Sequence, residues 1–258
     1  MASAQQANFD VMDRRGELLG WEAVGRLDSG GGFCTATLIA RDIVLTAAHC
    51  VFDQNGQPLA AERIRFRAGY HRGQSIADRR VVKWVVPDGY QRAATWSHDA
   101  SMVPRDVALL RLDRAIHAAE ANPFRVASAP AQGSAVSVVS YGQGRAEVLS
   151  REASCALTGH YRDGILTFDC DVTFGSSGAP VFVREDGRLR ILSVISAMGS
   201  LEGGSKVALG MTLPDQVQAL MARLRSDAAR PIVTKGARRV GVGERNNIGA
   251  RFVTPGGG

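Results

Sequence analysis

One serine of this 258-residue chain stands in a turn of small residues that suits a nucleophile. Ser177 lies within the segment Phe174–Pro180, between the apolar runs Ile165–Phe168 and Val181–Val183. A serine hydroxyl is a weak nucleophile until a nearby base takes its proton, and attack on a carbonyl also needs donors for the oxyanion. Gly175 can adopt a backbone angle that turns its N–H toward that oxyanion. Gly-Ser-Ser-Gly is also ordinary loop composition, so the turn predicts catalysis only together with a histidine and an acid.

His49 and Asp106 are the candidates for the base and its supporting acid. His49 follows an apolar run and precedes Cys50, with small residues around it. Asp106 opens the apolar run 107–110, where a carboxylate becomes partly buried and needs a hydrogen-bonded partner such as an imidazolium. The alternative for Asp106 is an ordinary aspartate in a turn at the end of a strand. The remaining histidines stand in polar or loop contexts and are predicted to lie at the surface: His71, His98, His117 and His160.

The elements that must position these residues are short and rich in turns. The composition is globular, with 45% hydrophobic and 22% charged residues, and 29 glycines against 9 prolines indicate many tight turns. Short apolar runs separated by turn signals predict an all-β chain, either a sandwich or barrels. No apolar run reaches the roughly 18–20 residues of a membrane-spanning helix.

The chain divides into two β-rich parts and a tail. Residues 113–133 lack a strand pattern and are predicted to link a part over 17–118 with a part over 119–226. One helix is expected to begin at Pro214 and to pack on a barrel through one apolar face: Val217, Leu220, Met221 and Leu224. Residues 227–258 are rich in Gly and Arg and are expected to be disordered or an extended strap.

The net charge of +6 is concentrated in that tail, where six basic residues stand against two acids. The basic character therefore says little about the folded part, and it carries no nucleic-acid-binding motif. We expect no nucleic-acid partner, no membrane span and a monomer.

The four cysteines fall into two close pairs, Cys34 with Cys50 and Cys155 with Cys170. Neither pair has the spacing of a metal site, so two short-loop disulfides are favoured, each worth about 3 kcal/mol. Disulfides imply an oxidising compartment, and the small-residue pattern Ala2–Ala4 is what remains before a signal-peptidase cut. We therefore expect a secreted or periplasmic protein without a metal or organic cofactor. The alternative is four buried thiols in a cytoplasmic protein.

Three segments together resemble the signature motifs of the chymotrypsin-like serine proteases. They are Thr46–Cys50, Asp106–Leu110 and Gly175–Pro180, in the order histidine, aspartate, serine. The resemblance covers roughly residues 20–226. The segment Phe168–Asp171 before the serine turn and the early Asp13–Arg15 look more like the bacterial glutamyl-endopeptidase-like branch.

This resemblance implies two six-stranded antiparallel β-barrels with the active site in the cleft between them. His49 and Asp106 would come from the first barrel and Ser177 from the second, acting as base, supporting acid and nucleophile. The resemblance also assigns the oxyanion hole to the N–H groups of Gly175 and Ser177. It further implies that Ser196 borders the substrate and supports Asp106. The Cys34–Cys50 disulfide would lie behind His49.

The residue before the nucleophile departs from the animal members of the family. There an aspartate pairs with the new N-terminal amine after zymogen cleavage, whereas here the position is Ser176. The oxyanion hole should therefore not depend on a buried terminal ammonium. We expect an N-terminal tag to leave kcat nearly unchanged, as measured against the untagged enzyme; a large loss would contradict this interpretation.

The primary specificity pocket is predicted from the residues around Asp171, Ser196, Ala197 and Met198. Asp171 lies six residues before Ser177, where trypsin has the aspartate that selects arginine or lysine. Met198 would narrow the pocket, and Lys206 could pair with Asp171, so small or apolar substrate residues remain an alternative. Glutamate specificity usually needs a pocket histidine, and the run 189–197 contains none.

A serine endopeptidase is the function that these motifs favour. A catalytically idle, protease-like binding module is the second hypothesis, although such proteins usually lose a member of the triad and this chain keeps all three. The third is a protein whose basic tail binds anionic surfaces, with or without peptidase activity.

Overall fold

The structure is a computed structural model that describes residues 9–92, 100–128, 133–161, 163–200 and 206–228. The predicted signal remnant and residues 229–258 of the predicted basic tail lie outside the described residues. None of the described helices is long and apolar enough to cross a membrane.

The first large element is a closed barrel of six antiparallel strands. After a short strand β1 (Phe9–Val11), the chain forms β2 (Val24–Asp28), β3 (Phe33–Ala40), β4 (Ile43–Thr46), β5 (Arg65–Ala68), β6 (Ala77–Val85) and β7 (Ala108–Leu112). The barrel order is β2-β3-β4-β7-β6-β5. Along β5 the side chains of Phe66 and Ala68 are fully buried whereas Arg65 is exposed, so this strand has the alternation that the sequence predicts.

The second large element is an eight-stranded sheet that includes β1. Its remaining strands are β8 (Ala135–Ser140), β9 (Ser150–His160), β10 (Ile165–Phe168), β11 (Pro180–Glu185), β12 (Arg188–Val194), β13 (Ala197–Ser200) and β14 (Lys206–Met211). The order is β12-β11-β8-β9-β10-β14-β13, and β1 pairs with the beginning of β9.

The all-β, chymotrypsin-like class is thereby confirmed, and the second part takes the form of an open half-barrel. Its two edge strands, β12 and β13, are separated only by Ile195 and Ser196. The N–H of Ile195 donates to Ala179 O (2.9 Å), and that of Ser196 donates to Leu209 O (2.8 Å). The chain therefore runs directly from edge strand β12 to edge strand β13, and no ladder of backbone hydrogen bonds joins these two strands. The crossover from the barrel to the half-barrel lies between β7 and β8, which includes the predicted boundary at residue 118; that boundary stays a prediction.

One helix, α1 (Pro214–Ala228), closes the described chain and begins where the sequence predicts. Leu220 and Leu224 are almost completely buried, and the helix packs on β6 and β7 of the first barrel. The helix therefore joins the end of the second part to the first. The described part of the chain also contains four short 3-10 helices: Arg15–Leu18, Ala48–Val51, Ala61–Arg63 and Ala100–Arg105.

A shared apolar cluster holds the barrel and the half-barrel together. Leu45 and Leu109 of the barrel are fully buried in the same cluster as Val139 and Phe182 of the half-barrel. Because burying each such side chain contributes about 1.5–3 kcal/mol, the two parts are fixed against each other and can position one site jointly.

Both predicted disulfides are present. Cys34 of β3 is bonded to Cys50 beside the candidate base, and Cys155 of β9 is bonded to Cys170 just after β10. The first therefore ties the 3-10 helix that carries His49 to the wall of the barrel.

Candidate active site

His49 is held by a turn that only small residues allow. Strand β4 ends at Thr46, and Ala47 and Ala48 are fully buried between it and His49. The Thr46 hydroxyl donates to Thr35 O (2.9 Å), which secures the end of the strand. The Arg92 guanidinium donates to the carbonyl oxygen of His49 (2.5 Å) and so braces the helix from outside the barrel.

Asp106 fixes the imidazole ring of His49. It is 4% exposed and lies between the 3-10 helix 100–105 and β7. Its Oδ1 accepts the His49 backbone N–H at 2.8 Å, and its Oδ2 lies 2.8 Å from His49 Nδ1. Since a carboxylate only accepts, Nδ1 carries the proton, and Nε2 is the ring nitrogen that can act as a base.

The electrostatic environment keeps Asp106 ionised. Burial alone would raise the pKa of its carboxyl, but the charge of His49 and the hydrogen bonds from His49 and Ser196 outweigh it and hold the pKa below its ordinary value. The Ser196 hydroxyl donates to Oδ2 at 2.5 Å and is itself buried. The contact between Ser196 and Asp106 implied by the resemblance is therefore present in the structure.

Tyr90 is a third partner of Asp106, and no pattern in the sequence indicates this contact. Its hydroxyl hydrogen-bonds to the Asp106 carboxylate, and burial together with that negative charge raises the pKa of Tyr90. Tyr90 directly follows the Pro87-Asp88-Gly89 turn, and nothing in that segment indicates a contact with a buried carboxylate.

The Ser177 turn is attached to both parts of the fold. The N–H of Thr35 in β3 donates to Ser177 O (2.9 Å), and the N–H of Gly178 donates to Ile195 O (2.7 Å). Gly175 and Gly178 have φ angles of +92° and +73°, which side-chain-bearing residues rarely adopt. The turn thus brings Ser177 from the half-barrel against the barrel that carries His49.

Gly178 gives a direct test of this close approach. A Cβ at this position would collide with Thr46 Oγ1 and lie 2.5 Å from Thr35 O and 2.8 Å from Ala47 N. We expect Gly178→Ala to lower the free energy of unfolding by about 3–5 kcal/mol, because overpacking adds to backbone strain. Denaturant unfolding measures the loss. Gly187→Ala is the matched control, since Gly187 also has φ +73° but open space around it; equal losses in both variants would contradict the interpretation.

His49 and Ser177 both line a cleft of about 680 Å³. Its other described walls are the loop between β2 and β3, the residues that follow His49, and the segment around Gly144. Phe174 stands at the cleft with a 57% exposed side chain. A polypeptide could therefore lie across the two candidate catalytic side chains.

The four predicted pocket residues are not among the described residues that line this cleft. Ser196 is buried on Asp106, while Ala197 and the 43% exposed Met198 lie on the edge strand β13. Asp171 is exposed, and its backbone N–H donates to Glu152 Oε2 at 2.8 Å.

The suggested pairing between Asp171 and Lys206 is not found among the ion pairs of the described chain. Lys206 is exposed and faces Ser200 across the hairpin of β13 and β14. Asp171 interacts electrostatically with Arg145. Nothing in the sequence around Arg145 marked it as part of the site.

Among the residues that the structure describes, two groups of side chains have the proximity of a metal site but not its chemistry. They are Cys34, His49 and Cys50, and Glu152, Cys155 and Cys170. In both groups the sulfur atoms belong to disulfides and cannot act as thiolate ligands.

The family model of the trypsin-like peptidase domain matches residues 34–190, more than half of the chain. The chain belongs to this family. It is a serine endopeptidase, and its substrate is a polypeptide. The matched range contains His49, Asp106 and Ser177 together.

Solved structures similar to this peptidase support the same fold. A Glu endopeptidase superposes with a TM-score of 0.64 at 17% identity, covering 80% of this chain and 91% of that one. The protease Anisep from Arthrobacter nicotinovorans gives 0.63 at 17% identity, with 80% and 96% covered. A thermostable serine protease, AL20, from an extremophilic microorganism gives 0.62 at 20% identity, with 80% and 97% covered. No curated protein sequence matches significantly.

Proposed function

We propose that this peptidase hydrolyses peptide bonds through a triad of His49, Asp106 and Ser177 and an acyl-enzyme intermediate. The observation that carries the proposal is the double hold of Asp106 on His49, at the backbone N–H and at Nδ1. This hold leaves Nε2 as the base in the cleft that Ser177 also lines. The substrate carbonyl would bind there, within reach of the Ser177 hydroxyl.

The chemical steps follow from these positions. Nε2 takes the hydroxyl proton of Ser177 as Oγ bonds to the substrate carbonyl carbon, whose oxygen becomes an anion. The imidazolium, stabilised by Asp106, then gives that proton to the leaving amine as the C–N bond breaks. Water repeats the sequence on the acyl-enzyme and releases the acid.

The oxyanion hole is proposed to consist of the N–H groups of Gly175 and Ser177. Within the described chain these two groups have no hydrogen-bond partner, whereas the N–H groups of Ser176 and Gly178 donate to Thr173 O and Ile195 O. The N–H groups of Ser176 and Gly178 are thus bonded within the protein, whereas those of Gly175 and Ser177 remain available to a substrate oxygen. Removing one such donor costs about a hundred- to a thousandfold in rate.

A fluorophosphonate probe tests the triad, because it forms a covalent bond only with an activated serine. We expect labelling at Ser177, located by mass spectrometry, and no labelling of Ser177→Ala. Ser176→Ala is the control, since Ser176 is fully buried next to the nucleophile. Equal labelling of wild type and Ser177→Ala would contradict the proposal, and so would an unlabelled wild type.

Cleavage after arginine or lysine is the proposed primary specificity, supported by the position of Asp171 six residues before Ser177. Two features favour the alternative of a small or apolar residue: the charge of Arg145, which interacts with Asp171, and the position of Met198 on β13. One of the similar structures is a Glu endopeptidase, which keeps glutamate among the candidates. Cleavage of a peptide library with sequencing of the products decides between them. A preference for basic residues that persists in Asp171→Ala would contradict the role of Asp171.

We also propose that the peptidase works in an oxidising compartment, secreted or periplasmic, and as a monomer. The two disulfides support the first part, because such bonds persist outside the reducing cytoplasm. Fractionation of the producing cell and light scattering of the purified protein measure the location and the oligomeric state.

A further inference from the structure

The oxyanion turn rests on a neighbouring segment, residues 140–145. The N–H of Gln143 donates to Phe174 O at 2.7 Å, and the Ser140 hydroxyl lies 3.1 Å from that of Ser176. A Cβ at Gly175 would lie only 2.8 Å from Tyr141 O, so the two backbones are in close contact. Displacement of this segment would therefore move the two N–H groups assigned to the oxyanion.

Arg145 ends this segment and folds its side chain back beneath it. The backbone N–H of Arg145 donates to Gly142 O at 2.8 Å, and the side-chain Nη1 donates to Ser140 O at 3.5 Å. A Cβ at Gly142 would be 2.6 Å from both Arg145 Nη2 and Thr173 Oγ1. Glycine at 142 therefore lets the guanidinium lie directly against the start of the serine turn.

The Arg145 guanidinium is partly buried and interacts electrostatically with two acids. Burial lowers the pKa of Arg145 below its ordinary value, although the carboxylates of Asp171 and Glu152 act in the opposite direction. Burial raises the pKa of Glu152 to about 7, with the charges of Asp171 and Asp169 adding to the effect and that of Arg145 opposing it. Arg145 therefore supplies the positive charge that interacts with Asp171 and Glu152, beside the turn that carries Ser177.

The N-terminal strand covers the other side of the guanidinium. The Phe9 ring lies 3.8 Å from Arg145 Cζ, within the range of a cation–π contact. Strand β1 pairs with β9 so that Phe9 faces Glu152, and the N–H of Met12 continues the docking by donating to Leu149 O at 2.9 Å. Phe9 can therefore hold Arg145 only while β1 is docked.

We propose that Arg145 is a positioning residue for the oxyanion hole and that docking of β1, through Phe9, keeps it in place. In this chain an internal arginine occupies the role that a buried terminal ammonium has in enzymes activated by N-terminal cleavage. The inference rests on the proposed oxyanion hole. Because the ring of an internal residue makes the contact, extending the chain before Phe9 leaves it intact, whereas removing Phe9 does not.

The test compares Arg145→Ala and Phe9→Ala with wild type on a peptide substrate, with rates given per titrated active site. We expect Arg145→Ala to lower kcat about ten- to a hundredfold with KM nearly unchanged, part of the loss caused by deleting an oxyanion donor. Phe9→Ala should lower kcat by a smaller factor. Arg145→Lys should recover only part of the activity, because it restores the charge but not the planar guanidinium that packs on Phe9.

A peptide aldehyde that mimics the tetrahedral intermediate supplies a readout that a structural role alone would not change. Its inhibition constant should rise by the same factor as kcat falls, because both depend on the oxyanion N–H groups. Arg151→Ala is the matched control: Arg151 is partly buried on β9, the strand that pairs with β1, and its guanidinium lies 5.4 Å from the centre of the Trp21 ring. It should lose stability without losing aldehyde affinity.

Three outcomes would overturn the inference. The first is an Arg145→Ala enzyme with kcat and aldehyde affinity within twofold of Arg151→Ala. The second is a loss confined to KM. The third, which applies if Arg145→Ala does not fold, is a Phe9→Ala enzyme with unchanged kcat and aldehyde affinity. A wild type that neither cleaves peptides nor is labelled at Ser177 would contradict the proposed function itself, so the two failures are distinguishable.

Discussion

Replacing His49 with alanine is expected to lower kcat by about a millionfold, the size of effect known for loss of the base from such a triad. Without the imidazole, no group in the described site can take the proton of Ser177 as it attacks. Asp106 keeps the hydroxyl of Ser196 and the backbone N–H of residue 49 as donors, so the turn should remain folded. Single-turnover hydrolysis of an activated ester measures the loss of rate, because this assay can detect very slow reactions.

His160 provides the control for this variant, because it is an exposed histidine at the end of β9, away from the cleft. His160→Ala should keep kcat within about twofold. Residual catalysis by His49→Ala of about a thousandfold over water is expected, since the oxyanion hole and substrate binding still act. A His49→Ala enzyme within a hundredfold of wild type would contradict the assignment of the base.

The parts of the site that the sequence predicts are those that need only a few adjacent residues. Small residues before His49 allow a buried turn, and glycines around Ser177 allow positive φ angles, so each motif carries its own local reason. The Asp106 segment alone is compatible with an ordinary turn aspartate, and it indicates catalysis only together with the His49 and Ser177 motifs. The structure places Asp106 on His49, which no single motif could establish.

The parts that the sequence misses depend on contacts between distant segments. Arg145 contacts the Phe9 ring and interacts electrostatically with Asp171, and no pattern near residue 145 indicates either neighbour. Tyr90 follows a turn and is drawn toward Asp106 only by tertiary packing. The gap between β12 and β13 likewise depends on distant contacts, because the N–H groups of Ile195 and Ser196 donate to Ala179 O and Leu209 O. Strand propensity does not indicate these acceptors.

Replacing Asp106 with asparagine is expected to lower kcat by about ten-thousandfold at neutral pH while leaving KM little changed. The amide can keep the position of the carboxylate, but an amide N–H facing His49 Nδ1 would favour the tautomer with the proton on Nε2. That nitrogen then cannot accept the proton of Ser177. A pH–rate profile of kcat measures the loss, with active sites titrated in each preparation.

Acid stability separates this effect from misfolding. The pKa of Asp106 is held below its ordinary value, so its ionised form stabilises the folded state above that value, and this contribution is lost as the pH falls through the folded-state pKa. Asp106→Asn cannot titrate at this position, so its free energy of unfolding should fall less steeply on acidification than that of wild type.

Ser196→Ala is the matched control for Asp106→Asn, because it removes one hydrogen bond from the same carboxylate and leaves its charge. The two bonds to His49 remain and continue to set the tautomer, so kcat should fall only about ten- to a hundredfold, the value of one hydrogen bond to a charged group. Equal losses of kcat in Asp106→Asn and Ser196→Ala would contradict this role. Asp106 would then act only by holding the loop in place, and another group would have to stabilise the His49 imidazolium.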